Sequence, residues 1–131
     1  MKYLLDTNTC VYAIKRLPPV IERLKALSPE QLGVPIVTLA ELWFGARKSR
    51  RPERTRASVD AFLRPFEIVP LDRDAAESYA EIRFRLERLG RPIGERDLLI
   101  AAIARSRDLT VVTHNLGEFG RVPGLVVEDW M

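Results

Sequence analysis

Four acidic residues stand where a short apolar segment ends or a helix is expected to begin. Asp6 follows the apolar run at residues 3–5, and Asp97 stands at the start of a helix that is apolar on every face. Glu41 lies in the first turns of helix after a second short strand, and Glu118 follows a strand near the C-terminus. Carboxylates gathered at such positions could bind a divalent cation or transfer protons in an acid–base reaction.

Each of these acids also has a purely structural explanation. Asp6 could cap the helix that follows it, and Glu41 stands three residues after Thr38, which is the spacing of a capping box. Asp97 would be stabilised by the positive end of its helix. Taken singly, none of the acids establishes a functional site.

The combined charge of the acids is the stronger argument. Two carboxylates about 5 Å apart repel by about 3 kcal/mol at an effective dielectric constant of about 20, and a domain is stable by only about 5–15 kcal/mol. A cluster of such acids must therefore keep protons, recruit an arginine or bind a cation. Oxygen ligands suit Mg²⁺ or Mn²⁺, whereas one histidine and one cysteine give poor support for a zinc cluster.

The elements expected between these acids explain how they could meet. Short strands alternate with segments of helical spacing, which predicts one α/β domain over residues 1–131, with a short parallel sheet and helices on both faces. Ligands of such sheets bind beyond the carboxyl ends of the strands. The expected strands are residues 3–5, 32–37, 67–70, 109–113 and 125–127. The polar side chains that would converge on that edge are Asp6, Glu41, Asp97, Asn115 and Glu118.

The composition describes a globular protein without membrane or secretion signals. Apolar residues make up 47% of the 131-residue chain and charged residues 30%. No apolar stretch approaches the roughly 20 residues that span a bilayer, and the first apolar run meets Asp6 too early for a signal peptide. Cys10 is the only cysteine, so no internal disulfide can form. We therefore expect a cytoplasmic protein.

The net charge of +3 is mildly basic, and the excess is concentrated in residues 47–56 (RKSRRPERTR). A basic surface of this kind attracts RNA or DNA phosphates. The same run is consistent with a solvated helix surface, and the sequence leaves both interpretations open.

The segments around the acids resemble the motifs of a known family. In chain order they are residues 1–8 (MKYLLDTN), 38–42 (TLAEL), 94–102 (GERDLLIAA) and 112–119 (VTHNLGEF), followed by the closing segment 122–130 (VPGLVVEDW). Together they resemble the PIN-domain ribonucleases and, within them, the VapC toxins of bacterial toxin–antitoxin pairs. The resemblance extends from the first residues to the last, and it implies a short parallel sheet flanked by helices.

The same resemblance implies a metal-dependent endoribonuclease with Asp6, Glu41 and Asp97 at its three acidic motif positions. Asp6 and Asp97 would bind Mg²⁺ or Mn²⁺ directly, and Glu41 would bind it directly or through water. Many relatives have an acid where this chain has Asn115, so Glu118 is carried over as the fourth catalytic position. The expected supporting residues are Asn8, Thr113 and Asn115.

In this family the implied reaction is the hydrolysis of RNA to a 5′-phosphate and a 3′-hydroxyl. Glu41 or Glu118 would orient or deprotonate the attacking water, and a second metal ion would stabilise the leaving oxygen. The motif match favours structured RNA, chiefly transfer RNA, as the substrate. The family also implies a toxin homodimer and a VapB-like antitoxin that places a basic side chain in the acidic site.

Other families with acids at strand ends fit the sequence less well. A phosphatase of the haloacid dehalogenase type also begins with an aspartate after its first strand, but it needs an acid where this chain has Asn8. Flap-type DNA nucleases share the broad fold but usually carry more acids and longer insertions. The non-enzymatic alternative is a catalytically weak PIN-like module that binds RNA or a protein partner, and the three retained acids count against it.

Overall fold

The computed structural model describes all 131 residues, and strands alternate with helices along the whole chain. The strands are β1 (Tyr3–Leu5), β2 (Leu32–Pro35), β3 (Glu67–Val69), β4 (Thr110–Val112) and β5 (Val127–Glu128). The helices are α1 (Thr7–Ile14), α2 (Pro18–Lys25), α3 (Ile36–Arg47), α4 (Pro52–Leu63), α5 (Arg73–Arg88), α6 (Glu95–Ser106) and α7 (Leu116–Phe119), with a 3₁₀ turn at Pro29–Gln31. None of the helices combines the length and apolar character needed to cross a bilayer.

All strand pairs are parallel, and the strand order in the sheet is β3-β2-β1-β4-β5. The chain builds outward from β1 to β3 on one side and then returns through α5 and α6 to place β4 on the other side. The direction of building therefore reverses between β1 and β4. Ligands of open α/β sheets bind at such a switch point, and the expected parallel α/β sheet is confirmed.

Helices cover both faces of the sheet because successive residues of β1 point to opposite sides. Leu4 packs in one buried cluster with Ile82 of α5 and Ile103 of α6. Tyr3 and Leu5 face the opposite way and pack in a second cluster with side chains from α1 to α4. Two apolar layers therefore hold the sheet from either side, as the sequence predicts.

The helix α6 is buried around most of its circumference. Its buried residues are Leu98, Ile100, Ala101, Ala102, Ile103 and Ala104. Asp97 lies in its first turn, so the packing that fixes this helix also fixes the position of that carboxylate. The prediction of a core helix with an acid at its start is confirmed.

Some local predictions are wrong, and the last strand, expected at residues 125–127, covers Val127–Glu128. The second strand ends at Pro35, and α3 begins at Ile36, so the last two residues of the expected strand are helical. Thr38 is not the N-cap of α3 but lies fully buried inside it, with its hydroxyl 3.0 Å from Thr7 Oγ1. Glu41 therefore makes no capping box, because the Thr38 hydroxyl contacts Thr7 of α1 and does not cap α3.

Candidate active site

The acids predicted from the sequence line one open depression at the carboxyl end of the sheet, which we call the acidic cleft. Its volume is about 520 Å³, and no hydrophobic residue lines it. The lining consists of Asp6, Thr7, Asn8, Glu41, Gly94, Glu95, Arg96, Asp97 and Glu118. Five acids and one arginine give this lining a strongly negative charge.

Asp6 is positioned by the transition from β1 to α1. Its backbone N–H donates to the carbonyl oxygen of Val112 in β4 at 3.1 Å, and its carboxylate accepts from the Thr9 N–H at 2.9 Å. The residue is only 4% exposed. Burial raises the pKa of Asp6, while hydrogen bonds from Thr113 and Thr9 oppose the rise. Asp6 thus caps α1 and lines the cleft at the same time.

Glu41 projects from α3 and is held by two partners. The Thr7 hydroxyl donates to its Oε1 at 2.8 Å, and Arg96 Nη1 donates to its Oε2 at 2.5 Å. The Arg96 side chain is 71% exposed and that of Glu41 20%, so the ion pair lies at the mouth of the cleft. Arg96 is the only basic residue in the lining, and it offsets part of the negative charge.

Asp97 and Glu118 are joined through Asn115. The Asn115 side chain caps α7 and donates through Nδ2 to Asp97 Oδ2 at 3.0 Å and to Glu118 Oε2 at 2.9 Å. Glu118 also accepts from the Gly94 N–H at 3.0 Å. An amide can donate to both carboxylates, whereas an ionised acid at this position would only repel them. The asparagine is therefore a link between the two acids in this chain.

The two linked carboxylates retain a proton between them. Burial and the neighbouring Glu118 raise the pKa of Asp97 to about 7. The pKa of Glu118 is lowered, chiefly because Asp97 donates a hydrogen bond to it. Asp97 therefore keeps its proton close to neutral pH, chiefly because it is partly buried and in addition because Glu118 and Asp6 lie nearby.

The supporting residues lie in the same region. Thr113 is fully buried and accepts from the Asn115 N–H at 2.9 Å, while Asn8 lines the cleft itself. His114 points away and lies 2.9 Å from Asp129, so the only histidine does not line the cleft. The structure thus brings all the predicted site residues to one edge of the sheet: Asp6, Asn8, Glu41, Asp97, Thr113, Asn115 and Glu118.

Four residues of the lining, Thr7, Gly94, Glu95 and Arg96, were not among those predicted, and two of them bind Glu41. Thr7 orients Glu41, and Arg96 neutralises it. Thr7 and Arg96 each directly adjoin a predicted acid and lie in a motif segment, and these are the signals that the sequence offers for them. Their partner Glu41 lies 34 residues from Thr7 and 55 residues from Arg96, so local spacing cannot reveal either contact.

The chemistry of the cleft fits a hard divalent cation. All of its charged ligand candidates are carboxylate oxygens, no apolar group covers them, and Asp97 keeps a proton that a cation would displace. As the side chains lie, no three acidic, histidine or cysteine groups form a ready-made metal cluster. Glu41 is engaged by Arg96, and Asp97 and Glu118 are engaged by Asn115.

Comparisons with known sequences match almost the complete chain. The family model described as PIN domain matches residues 3–125. The chain is 44% identical over 130 residues to the tRNA(fMet)-specific endonuclease VapC of Salmonella typhimurium, covering 99% of this chain and 98% of that protein. It is 39% identical over 132 residues to ribonuclease VapC2 of Rickettsia felis, again covering 99% and 98%.

Solved structures show the same extent of similarity. The DNA-bound VapBC structure from Salmonella typhimurium matches with a TM-score of 0.95 at 43% identity, over 100% of this chain and 99% of that one. The VapBC2 structure from Rickettsia felis, bound to a DNA fragment from its promoter, matches with a TM-score of 0.94 at 38% identity over 100% of both chains. The similarity therefore includes every element that carries a cleft residue.

Proposed function

Because this chain belongs to the PIN-domain family and is a ribonuclease of the VapC toxin type, we propose that its acidic cleft hydrolyses RNA with the help of a divalent metal ion. PIN-domain nucleases generally depend on divalent metals. The observation that carries the proposal is the meeting of Asp6, Glu41, Asp97 and Glu118 in a cleft without hydrophobic lining, at the switch point of the sheet.

Three acids of the cleft would bind the metal. Asp6 and Asp97 would hold Mg²⁺ or Mn²⁺, and Glu41 would complete the ligand set directly or through water. When bound, the ion lowers the pKa of its water and stabilises charge on the phosphodiester. Asp97 must give up its proton for this role, and the pull of a cation favours that loss.

Glu118 is the residue best held to orient the attacking water. Its carboxylate accepts hydrogen bonds from the Gly94 N–H and the Asn115 amide, so its direction is fixed. It remains ionised more readily than Asp97, which suits it to accept a hydrogen bond from the attacking water. The products are a 5′-phosphate and a 3′-hydroxyl, and no covalent enzyme intermediate is required.

We assign a structured RNA, in the form of transfer RNA, as the substrate. The Salmonella relative is named for tRNA(fMet), and its similarity to this chain spans 98% of its own length. That extent supports a shared substrate class.

The partner is a VapB-type antitoxin, since the matched structures are VapBC complexes. A basic side chain from the antitoxin would neutralise the cleft in the way that Arg96 already does in part. A homodimer of this chain stays a prediction from the family resemblance.

The test is cleavage of purified tRNA with mapped ends. Initiator tRNA and an elongator tRNA are incubated with the protein in Mg²⁺, in Mn²⁺ or in EDTA, and new 5′ ends are sequenced. We expect new 5′-phosphate ends only with metal and mainly in the initiator tRNA. Cleavage that persists in EDTA contradicts metal dependence, and tRNA binding without cleavage in any metal favours the PIN-like binding module instead.

A further inference from the structure

A second charged region, residues 47–56, runs from the last residue of α3 through the following turn into the start of α4, and we call it the basic surface. It contains six cations and one acid, so its net charge is +5. Because the whole chain carries +3, the other 121 residues together carry −2. The net positive charge of this protein is thus concentrated in one ten-residue segment, and the proposed reaction in the cleft makes no use of it.

Most of these cations have no acidic partner. Those that are exposed and form no salt bridge are Arg47, Lys48, Arg50, Arg51 and Arg54. The sixth, Arg56, pairs with Asp60 at 2.9 Å and lies 3.8 Å from the centre of the Trp43 ring. Neighbouring unpaired cations repel one another, so they do not stabilise the fold and are free to bind an anionic ligand.

The turn that presents these cations is held in place by internal contacts. The Ser49 hydroxyl lies 2.7 Å from the Ala46 carbonyl oxygen and 2.9 Å from Thr55 Oγ1. Trp43 Nε1 donates to Asp60 at 2.9 Å and so ties α3 to α4. An open depression of about 650 Å³ on this surface is lined by Ile14, Arg50, Arg51, Arg54, Thr55 and Ser58. The cations therefore project from a defined frame.

The acidic cleft needs such a region if it is to act on RNA. Its lining of five acids and one arginine repels a chain that carries one negative charge per nucleotide. Proteins obtain most of their affinity for nucleic acid from phosphates neutralised by Lys and Arg. Arg47 follows Glu41 by six residues in α3, which is about 9 Å along the helix axis. The same helix therefore carries a residue of the cleft and the first cation of the basic surface.

We infer that the basic surface binds the phosphate backbone of the RNA that the acidic cleft cleaves. This inference rests on the proposed ribonuclease function and adds to it the source of the affinity for the substrate. Phe44 is 61% exposed beside it, and Lys48 Nζ lies 4.9 Å from the centre of its ring. An exposed aromatic face among cations is suited to stacking with an unpaired base.

Binding is tested with the uncleaved substrate, in protein carrying Asp6→Asn. The test is the double variant Arg50→Gln/Arg54→Gln. The control is the double variant Lys25→Gln/Arg73→Gln, which removes two exposed, unpaired cations from α2 and α5. The Kd of a labelled tRNA is measured by fluorescence anisotropy across a salt series. We expect the first pair to weaken binding about tenfold or more and to lower the slope of log Kd against log salt by about 1.4–1.8, and the second pair to change neither.

The outcomes distinguish this surface from its alternatives. Equal losses in both double variants would reflect total charge and overturn the inference. Unchanged tRNA affinity together with weakened binding of the VapB-type antitoxin would assign the surface to an acidic protein segment, which also overturns it.

Cleavage measurements in protein with Asp6 intact separate docking from the ribonuclease function. The variant of the basic surface should show a raised KM and an unchanged kcat. Wild-type protein that neither binds nor cleaves tRNA would defeat the proposed function, whereas normal cleavage with unchanged tRNA affinity in the variant defeats the docking surface alone.

Discussion

The acidic cleft and the basic surface differ in how their charges are held. In the cleft, Asp6 accepts from the Thr9 N–H and Glu118 from the Gly94 N–H, so each carboxylate has a fixed direction. Five cations of the basic surface extend into solvent without an acidic partner. Catalysis requires reacting groups in a precise geometry, whereas attraction of a polyanion requires only dense charge.

The two regions also differ in how much their charges destabilise the folded protein. Carboxylates at a sheet edge lose water on burial and repel one another, and for these reasons, burial first, Asp97 keeps a proton close to neutral pH. Solvated cations on a turn cost less because water and salt screen them. Substitutions in the cleft should therefore change the reaction, metal affinity and stability, and substitutions on the basic surface should change RNA affinity alone.

Asp6→Asn should produce the largest effect that distinguishes the two regions. Asparagine remains a good N-cap, so the fold should persist, but the metal loses a charged ligand. We expect cleavage of tRNA to fall by at least about a thousandfold, while tRNA affinity measured by anisotropy does not weaken. Asp74→Asn, which alters an exposed acid in the first turn of α5, is the control. Metal-dependent cleavage near the wild-type rate would remove Asp6 from the site.

Arg96→Gln tests the one cation that belongs to the cleft. The substitution frees Glu41 from its ion pair and makes the lining more negative. The repulsion between a guanidinium and a divalent ion across a few ångströms of water amounts to about 1–2 kcal/mol. Mn²⁺ should therefore bind about tenfold more tightly to the variant than to the wild type, as measured by calorimetry without RNA. Arg107→Gln is the control, because the ion pair of Arg107 with Asp72 lies outside the cleft. Unchanged Mn²⁺ affinity would show that Arg96 does not offset the charge of the cleft.

The elements and the acids can be predicted from the sequence because both depend on local periodicity. Asp6 and Asp97 stand at boundaries between an apolar run and a helix, and such boundaries are visible in a window of a few residues. The parallel order of the strands follows from the alternation of strand and helix. These features therefore agree between the sequence and the structure.

The contacts inside the cleft cannot be predicted in this way. The spacing of Thr38 and Glu41 matches a capping box, yet the structure joins Thr38 to Thr7, which is 31 residues distant. The family resemblance likewise implies an acid at the position of Asn115, whereas the structure shows an amide that links Asp97 to a second carboxylate. Such roles depend on which elements pack together, and tertiary packing overrides local preference.

The smallest of the three effects should be the one that the proton on Asp97 has on stability. Its pKa is about 7 in the folded chain against an ordinary value of 3.8. Between these values the unfolded chain has released the proton that the folded chain retains, so the stability contributed by this group is lost as pH rises toward about 7. In EDTA, the Tm of the wild-type protein should therefore fall between about pH 5 and pH 8.

The asparagine side chain of the Asp97→Asn variant does not titrate, so the Tm of this variant should vary less with pH. The variant should also be more stable than the wild type by about 1 kcal/mol at about pH 8, after allowance for solvent screening. Added Mg²⁺ should reduce the difference, because a cation neutralises the wild-type carboxylates. Arg54→Gln on the basic surface should keep the wild-type pH profile. If Arg54→Gln changed that profile as much as Asp97→Asn does, the two regions would be electrostatically coupled, and docking could not be separated from the chemistry of the cleft.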